Sequence, residues 1–321
     1  MHNSRQMGGR TLILGLASLL LAGPALAERT PHDWLSAMGA AVQSTSYEGT
    51  VIRIQDGKAE ALKVVHTVTD GEVFEKVVTQ EGDALEIIRN GSEVHRILPD
   101  RRSVVVEKWD DQSTVFSTLP TSDIRFGNEY DVAIDREDRI AGREAVVLAI
   151  RPHDHFRYGH RLWLDVETSF PLQTQLVDAG SVIEQVKFAD ISINQQIDAS
   201  SLAPTYSTDQ FTWFTHSSAH KGTEVDSLWI SDALPAGFKV VSTHEETMPG
   251  STASVTHILF SDGLANVSVF IEEQRADSVP GLASMGSSNS YCVALGDLDI
   301  TAIGEVPAIT VKQIAMSMKR R

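Results

Sequence analysis

The sequence predicts a mainly β fold of the α+β class, in which a large curled antiparallel sheet forms an unclosed barrel and a smaller β-rich domain follows. Three observations support this prediction. Apolar and polar residues alternate along many short segments, as in strands with one buried face. Turn-forming pairs that contain glycine separate those segments. The composition then changes near Asn194, where a stretch rich in Ser, Thr and Gln begins.

The first 27 residues have the three parts of a secretory signal peptide. Arg5 and Arg10 supply positive charge, and residues 11–22 form an apolar run that is shorter than the roughly 20 residues of a spanning helix. Ala25-Leu26-Ala27 has the form of a cleavage site. We therefore expect a mature chain that begins at Glu28, is free in the periplasm and carries no lipidated cysteine. The alternative is an N-terminal core helix.

Residues 28–194 are predicted to form the curled sheet with a covering helix at its start. Pro31 suits the first helical position, and Trp34, Leu35 and Met38 share one face of the helix. Eleven strands follow at residues 50–54, 62–68, 73–79, 85–89, 94–98, 104–108, 130–134, 145–151, 160–165, 172–177 and 182–193. A curled sheet encloses an interior, which side chains fill or which stays open as a ligand cavity. The pattern favours a cavity without deciding the question.

Residues 195–224 are predicted to be a linker whose aromatic cluster, Phe211, Trp213 and Phe214, docks on one of the domains. A second domain is expected over residues 225–321. Its strands are predicted at residues 228–230, 238–242, 254–260, 265–272, 291–295 and 299–303, with a helix over 308–318 after Pro307. Residues 281–286 are predicted to be a flexible Gly/Ser segment.

Charge and motifs give little sign of chemistry. The 27 basic and 43 acidic residues leave a net charge of −16, which disfavours nucleic acid as a partner. Cys292 is the single cysteine, so no internal disulfide forms. His153 and His155 resemble a metal pair but have no third ligand at a suitable spacing, so a polar loop is preferred. We predict no catalytic residue, cofactor or metal, and an enzyme is the least favoured class.

Several sequence blocks resemble one known family. They are Asp33-Trp34-Leu35, Ser46-Tyr47-Glu48-Gly49-Thr50, Arg139-Ile140-Ala141-Gly142-Arg143-Glu144-Ala145, Arg157-Tyr158-Gly159-His160-Arg161-Leu162-Trp163-Leu164-Asp165, Asp262-Gly263-Leu264-Ala265, Val269-Phe270-Ile271-Glu272 and Gly304-Glu305-Val306-Pro307. In this order they resemble the MucB/RseB family of periplasmic regulators of an envelope-stress sigma factor. One departure is Ser169, where the family often has a glycine before the Leu/Phe-Pro pair.

The resemblance implies a two-domain binding protein whose larger part is similar to the periplasmic lipoprotein carriers, an unclosed β-barrel curved around helices. It implies that the chain holds the periplasmic segment of a membrane anti-sigma factor, shields it from the first regulatory protease, and releases it when lipid or lipoprotein-like signals arrive. Lipopolysaccharide or a lipidated peptide would be such a signal. The rival hypothesis is a lipoprotein or lipid carrier, and a homodimer is left open.

Candidate residues follow for each half of that mechanism. For the ligand cavity they are Trp109, Phe116, Phe126, Trp163 and Phe188, with core packing as the alternative. For the partner surface they are Arg157, Arg161, Phe238 and Phe270, in the second domain and the cleft between the domains. The two arginines either pair with carboxylates of the partner or hold the domains together.

Overall fold

The structure is a computed structural model, and it describes residues 29–108, 119, 128–194, 196–215, 223–224, 228–247, 254–276 and 278–321. Trp109, Phe116 and Phe126, three of the predicted cavity residues, lie outside the described residues. So does the predicted signal peptide. Within the described ranges, no helix has the length and apolarity needed to cross a membrane.

Helix α1 (Pro31–Ser44) opens the described chain and begins with a reciprocal cap. The Thr30 hydroxyl accepts a hydrogen bond from the Asp33 amide at 3.2 Å, and the Asp33 carboxylate accepts one from the Thr30 amide at 2.9 Å. These contacts satisfy two amide donors that a helix start leaves free. The face predicted from the sequence is buried, since Trp34, Leu35 and Met38 are at most 7% exposed.

Twelve strands form the first sheet. They are β1 (Tyr47–Gln55), β2 (Lys58–Thr69), β3 (Glu72–Thr79), β4 (Glu86–Asn90), β5 (Glu93–Leu98), β6 (Ser103–Lys108), β7 (Tyr130–Ile140), β8 (Arg143–Pro152), β9 (Gly159–Asp165), β10 (Pro171–Asp178), β11 (Ser181–Ile193) and β12 (Thr212–Thr215). Their order is β12-β6-β5-β4-β3-β2-β1-β11-β10-β9-β8-β7, so the outermost strands do not pair and the sheet stays unclosed. The eleven predicted strands correspond to β1–β11.

The predicted Asp-Gly turns explain the tight hairpins at the start of this sheet. Asp56 and Gly57 have φ angles of 51° and 73°, and Asp70 and Gly71 have 53° and 82°. Two consecutive left-handed residues give the turn whose twist matches the flanking strands. Asp tolerates that conformation better than most residues and glycine meets no Cβ penalty, so this pair sets the register of β1 with β2 and of β2 with β3.

Side chains from α1 and the sheet fill the parts of the interior that the structure describes. Trp34 and Met38 pack with Leu148, Leu162 and Leu164 of β8 and β9. A neighbouring cluster surrounds three aromatic rings, Tyr47, Phe170 and Phe188, whose centroids lie 4.8 to 6.2 Å apart. Tilted and edge-on ring pairs at these separations add to simple area burial.

The second domain has a seven-stranded sheet and a helix. Its elements are β13 (Thr223–Glu224), β14 (Trp229–Ser231), β15 (Lys239–Thr247), β16 (Ser254–Ser261), β17 (Asn266–Glu273), β18 (Gly281–Met285), β19 (Ser288–Leu295), β20 (Leu298–Gly304), α2 (Ala308–Ser317) and β21 (Met318–Arg320). The sheet order is β13-β15-β16-β17-β20-β19-β18, and β14 pairs with β21. Helix α2 buries Val311 and Ile314 against Ile258 and Ile300. The predicted fold class, a large curled sheet followed by a smaller β-rich region, is confirmed.

One segment differs from its prediction, and for a second the structure shows on which domain it docks. Residues 281–286 are not a flexible segment, because Gly281–Met285 forms edge strand β18 and pairs with β19. The aromatic part of the predicted linker forms β12, which adds to the first sheet parallel to β6. Trp213 meets the ring of His95 edge-on, with centroids 5.4 Å apart. The aromatic cluster therefore docks on the first domain.

Replacing Met38 by Ala tests how far stability depends on the α1 contact. Met38 is fully buried, whereas Met316 on α2 is 60% exposed. We expect Met38→Ala to lower the free energy of unfolding in urea by about 2 to 5 kcal/mol. The same change at Met316 should alter it by less than about 0.5 kcal/mol. Equal effects of the two replacements would show that α1 does not contribute to the core as described.

Candidate functional site

Arg157 is a fully buried charged group at the junction of the two domains. It follows the bends after β8, where the Asp154 carboxylate accepts a hydrogen bond from the Phe156 amide at 2.9 Å. This local turn directs the Arg157 side chain toward the second domain. The side chain is 0% exposed, which is unusual for a group that stays charged at all physiological pH.

Groups from both domains surround the Arg157 guanidinium. In the first domain, its Nε lies 3.2 Å from Asp154 Oδ1. In the second domain, its Nη1 lies 2.8 Å from Asp262 Oδ2, and its Nη2 donates to the Ala236 carbonyl at 2.5 Å. The Asp262 side chain is also 0% exposed. The buried charge is thus compensated mainly across the domain boundary.

Two aromatic rings complete this environment. The guanidinium carbon lies 5.4 Å from the ring centroid of Tyr130 and 5.2 Å from that of Phe238. These are cation–π distances, and they join β7 of the first domain to the core of the second. The Tyr130 hydroxyl donates to Asp262 at 2.9 Å. Burial and the neighbouring Asp262 carboxylate raise the pKa of Tyr130, so it stays a neutral donor.

Two further hydrogen bonds cross the junction beside Arg157. The Asn289 side-chain amide donates to the Tyr158 hydroxyl at 3.1 Å, and the Thr310 hydroxyl donates to the Phe156 carbonyl at 2.6 Å. Burial raises the pKa of Tyr158 to about 12. Asn289 and Thr310 are both buried, at 8% and 0% exposure. The junction is therefore a closed, hydrogen-bonded contact in this arrangement.

A third contact lies at the turn between β18 and β19. The Ser287 hydroxyl is 3.0 Å from Glu184 Oε2 of the first domain and 2.5 Å from Glu305 Oε1 of its own domain. Glu184 also accepts a hydrogen bond from Gln55 at 2.8 Å and pairs with Arg53 at 3.3 Å. Polar groups of both domains therefore converge on one hydroxyl.

A cavity of about 330 Å³ lies next to the junction, at the ends of β8, β9 and β10. Arg157 and Arg161 both line it, so the structure brings these two predicted residues together. Gly159, Ala179 and Gly180 also line it, and a Cβ at Gly180 would meet nothing within 4 Å. Arg161 is half-buried and has no ion-pair partner among the described residues. The cavity is of a size that accommodates one side chain or a small ligand.

Two other predicted partner residues lie in different surroundings. Phe238 is 5% exposed and packs in the core of the second domain beside Arg157. The side chains of Phe238 and Arg157 are therefore closed to a partner while the domains stay docked, although Arg157 borders the cavity. Phe270 is half-buried on β17 and stacks on His257, with ring centroids 4.5 Å apart. A partner contact at Phe270 stays a prediction.

The two described cavity candidates lie on different faces of the first sheet. Phe188 packs with Tyr47 and Phe170 in the interior. Trp163 alternates with Leu162 and Leu164 along β9, so it points to the opposite face. Its indole donates to Asp138 at 2.8 Å, and this hydrogen bond lowers the pKa of that carboxyl. Trp163 therefore packs within the fold, which was the alternative to a role in the cavity. Ligand binding by Trp163 or Phe188 stays a prediction.

The residues 153–155 that resembled a metal pair form a polar loop. His153 lies 3.1 Å from Asp131 and 2.7 Å from the Asn128 carbonyl. The Asp131 contact raises the pKa of His153. Over the described residues, no group of three metal-ligating side chains occurs.

Sequence reasoning missed the groups that face the predicted residues across the junction. Asp262, Tyr130, Glu184 and Ser287 gave no pattern that distinguishes them from surface polar residues. Asp262 did stand in one of the family-like blocks, directly before a glycine turn. A search for acidic residues in those blocks that could neutralise Arg157 would have selected it.

Comparison with known proteins identifies the kind of chain. A family model described as the MucB/RseB N-terminal domain matches residues 30–206, and one described as the MucB/RseB C-terminal domain matches residues 223–319. These two matches cover most of the chain and both parts of the junction. The chain belongs to the MucB/RseB family, whose curated relatives are sigma-factor regulatory proteins.

Relatives and solved structures agree with this assignment. The sigma factor AlgU regulatory protein MucB of Pseudomonas aeruginosa is 28% identical, over 96% of this chain and 97% of that protein. The sigma-E factor regulatory protein RseB of Escherichia coli K12 is 26% identical, over 94% of each. A solved structure described as the P. aeruginosa MucA/MucB complex covers 91% of this chain and 99% of that chain, with 27% identity and a TM-score of 0.69.

Replacing Arg157 by Gln tests the buried anchor. Removing one member of a buried ion pair leaves the other charge uncompensated, which typically lowers stability by about 3 to 5 kcal/mol. We expect that loss in the urea unfolding of Arg157→Gln. Arg139→Gln, at an exposed arginine of β7, serves as the control. In a double-mutant cycle with Asp262→Asn, the two losses should add to more than the loss of the double variant. Simple additivity would contradict the pairing.

Gly286 and Gly296 give a matched test of the Ser287 contact. Both have left-handed φ angles, 60° and 64°, so alanine carries the same backbone strain at each. A Cβ at Gly286 would collide with the side-chain amide of Gln55, and at Gly296 it would meet nothing within 4 Å. Moving Gln55 breaks its hydrogen bond to Glu184. We therefore expect Gly286→Ala to lower the free energy of unfolding by about 1 to 3 kcal/mol more than Gly296→Ala. Equal losses would rule out a contact of Gln55 at this turn.

Proposed function

We propose that this protein is a periplasmic regulator that binds the periplasmic domain of an inner-membrane anti-sigma factor. By that binding it keeps the envelope-stress sigma factor inactive. The observation that supports the proposal most directly is the match of both domains, over 91% of the chain, to MucB in the MucA/MucB complex. The protein binds without catalysis, and it acts in the periplasm after its signal peptide is cleaved.

Protection from proteolysis is the proposed consequence of binding. A partner segment held against a folded surface cannot enter the extended conformation that a protease active site requires. The regulator then acts as a gate, since it decides when the first regulatory protease reaches its substrate. Digestion of the anti-sigma periplasmic domain by that protease, with and without this protein, measures the effect. Equal digestion rates at saturating binding would contradict it.

The cavity beside the junction is the proposed contact for an acidic side chain of the partner. Arg161 lines it without an ion-pair partner among the described residues, although the chain as a whole has a net charge of −16. An unpaired arginine in a partly enclosed space binds a carboxylate through two parallel hydrogen bonds. Phe270 of the second domain is the proposed apolar contact. Arg157 and Phe238 would act indirectly, by holding the domains in the arrangement that the partner recognises.

Release is proposed to follow when a lipid or lipidated peptide enters the first domain and displaces side chains that fill its interior in this structure. Phe188 and the rings beside it are apolar enough to meet an acyl chain. Two ligands oppose each other when they favour different conformations, and the proposed second conformation is one in which the junction has opened. Lipopolysaccharide and a lipidated peptide are the probes to compare.

A lipoprotein or lipid carrier is the alternative function. It would use the interior of the first domain in the same way, but it would ferry its ligand instead of guarding a protein. The second domain distinguishes the two, since a carrier needs no junction with a buried ion pair. Recovery of only lipidated cargo from a periplasmic extract, with no single-pass membrane protein, would favour the carrier.

Arg161→Gln tests the proposed partner contact. We expect the wild-type chain to bind the purified periplasmic domain of the cognate anti-sigma factor in calorimetry, and Arg161→Gln to weaken the binding by about 2 kcal/mol, roughly 30-fold. Arg139→Gln should leave the affinity within about twofold. Unchanged affinity of Arg161→Gln would reject this contact alone. No binding by the wild-type chain would reject the function.

A further inference from the structure

The contact at Ser287 contains too few hydrogens for two ionised carboxylates. Ser287 is 4% exposed and lies between Glu184 of the first domain and Glu305 of the second, at 3.0 and 2.5 Å. A serine hydroxyl has one hydrogen to donate. An ionised carboxylate only accepts hydrogen bonds. Both contacts are hydrogen bonds only if one of the two carboxyl groups carries a proton.

The surroundings indicate which carboxyl carries it. Glu184 has two partners besides Ser287, since it accepts a hydrogen bond from Gln55 at 2.8 Å and lies 3.3 Å from the Arg53 guanidinium. For Glu305, Ser287 is the one hydrogen-bond partner among the described residues. A chain then forms in which the Glu305 acid donates to Ser287 and Ser287 donates to Glu184. The 2.5 Å distance between Ser287 and Glu305 lies at the short end of the range for O–H···O hydrogen bonds.

We infer that Glu305, Ser287 and Glu184 form a proton-binding site shared by the two domains, and that acidification tightens the domain junction. One proton completes the hydrogen-bonded chain and removes the repulsion between the two carboxylates across the boundary. When the domains separate, Glu305 returns to water and loses its preference for the proton. This inference concerns the free chain and does not depend on the proposed partner.

The other charged groups near this site do not change charge over the relevant range. Arg53 of β1 stays positive, and Tyr158 stays neutral because burial raises its pKa to about 12. Among the described residues, Glu184 of β11 is the carboxyl that faces Glu305 through Ser287. Burial raises the pKa of Glu305, and the charge of Glu184 raises it further; the Ser287 hydrogen bond and Arg53 lower it by less in total.

The sign of the pH dependence follows from this direction. The pKa of Glu305 is raised above 4.5 in the docked state. The docked state therefore binds the proton more tightly than the separated state. The stabilisation is fully present below about pH 4.5 and is lost as the pH rises through the higher, docked-state pKa. Because one proton is taken up, the equilibrium constant for opening rises by at most about tenfold per pH unit.

Two measurements on the full mature chain test the inference. Carbon-detected NMR of labelled glutamate gives the pKa of Glu305, whose signal is the one missing from Glu305→Gln. Amide hydrogen exchange of residues 286–289, corrected at each pH for the intrinsic exchange rate, gives the opening constant of the junction. We expect a Glu305 pKa above 4.5 and opening that increases with pH.

Three variants separate this site from a general effect of acid. Glu305→Gln keeps an N–H donor for Ser287 and cannot ionise, so its opening should be independent of pH. Glu184→Gln removes the opposing charge, so it should lower the pKa of Glu305. Glu137→Gln, at an exposed glutamate of β7, should behave as the wild type. A wild-type Glu305 pKa at or below 4.5, or the same pH dependence in Glu305→Gln as in the wild type, would overturn the inference.

Discussion

Burial of the Arg157 guanidinium is the constraint on which the two-domain arrangement depends. The group stays protonated, so the protein must compensate its charge or leave it in water. Asp154 of its own domain supplies part of that compensation at 3.2 Å. Asp262 and the Ala236 carbonyl supply the rest from the second domain, at 2.8 and 2.5 Å. Separating the domains removes these two partners together, and this penalty holds the loops around β9 and β16 in contact.

The antiparallel sheet explains why so many junction groups lie close together. Tyr130 starts β7, Arg157 and Tyr158 precede β9, and Gln55 ends β1 opposite Glu184 of β11. Neighbouring antiparallel strands run in opposite directions, so the last residues of some strands and the first residues of others lie along the same side of the sheet, across the strand direction. The second domain meets this edge with its own turns, at 262–265 and 286–287, and with the segment after β20. Each domain thus presents a row of strand ends to the other.

Much of the fold could be predicted because strand period and turn chemistry are local properties. Alternation placed β1–β11, and the left-handed pairs at residues 56–57 and 70–71 placed their turns. Strand β18 was missed because its sequence lacks the alternation of a strand with one buried face. It lies at the edge of its sheet, where Leu282 and Met285 are both exposed. The structure explains why the family often has a glycine where this chain has Ser169. The φ angle of Ser169 is 62°, a conformation that glycine adopts more easily.

The candidate site was less predictable, because its contacts join residues far apart in the sequence. Arg157 and Asp262 illustrate this, since they come from two different family-like blocks and their side chains lie 2.8 Å apart. Arg157 and Phe238 were selected as candidates, but their mutual contact requires the docked domains. The sequence left two roles open for Arg157, pairing with the partner or holding the domains together. The position of Asp262 decides between them. No spacing rule in the sequence relates residues of two separate sheets.

The junction combines two electrostatic contacts of different kinds. The pair of Arg157 and Asp262 is fully buried and consists of one positive and one negative group, so it needs no added proton. The contact of Glu184 and Glu305 through Ser287 brings two acids together and needs one. An opening motion that keeps the first contact and breaks the second requires less free energy than full separation, because the buried ion pair stays intact. The arginine side of the junction is therefore expected to act as the pivot of any domain movement, and the serine side as the part that opens.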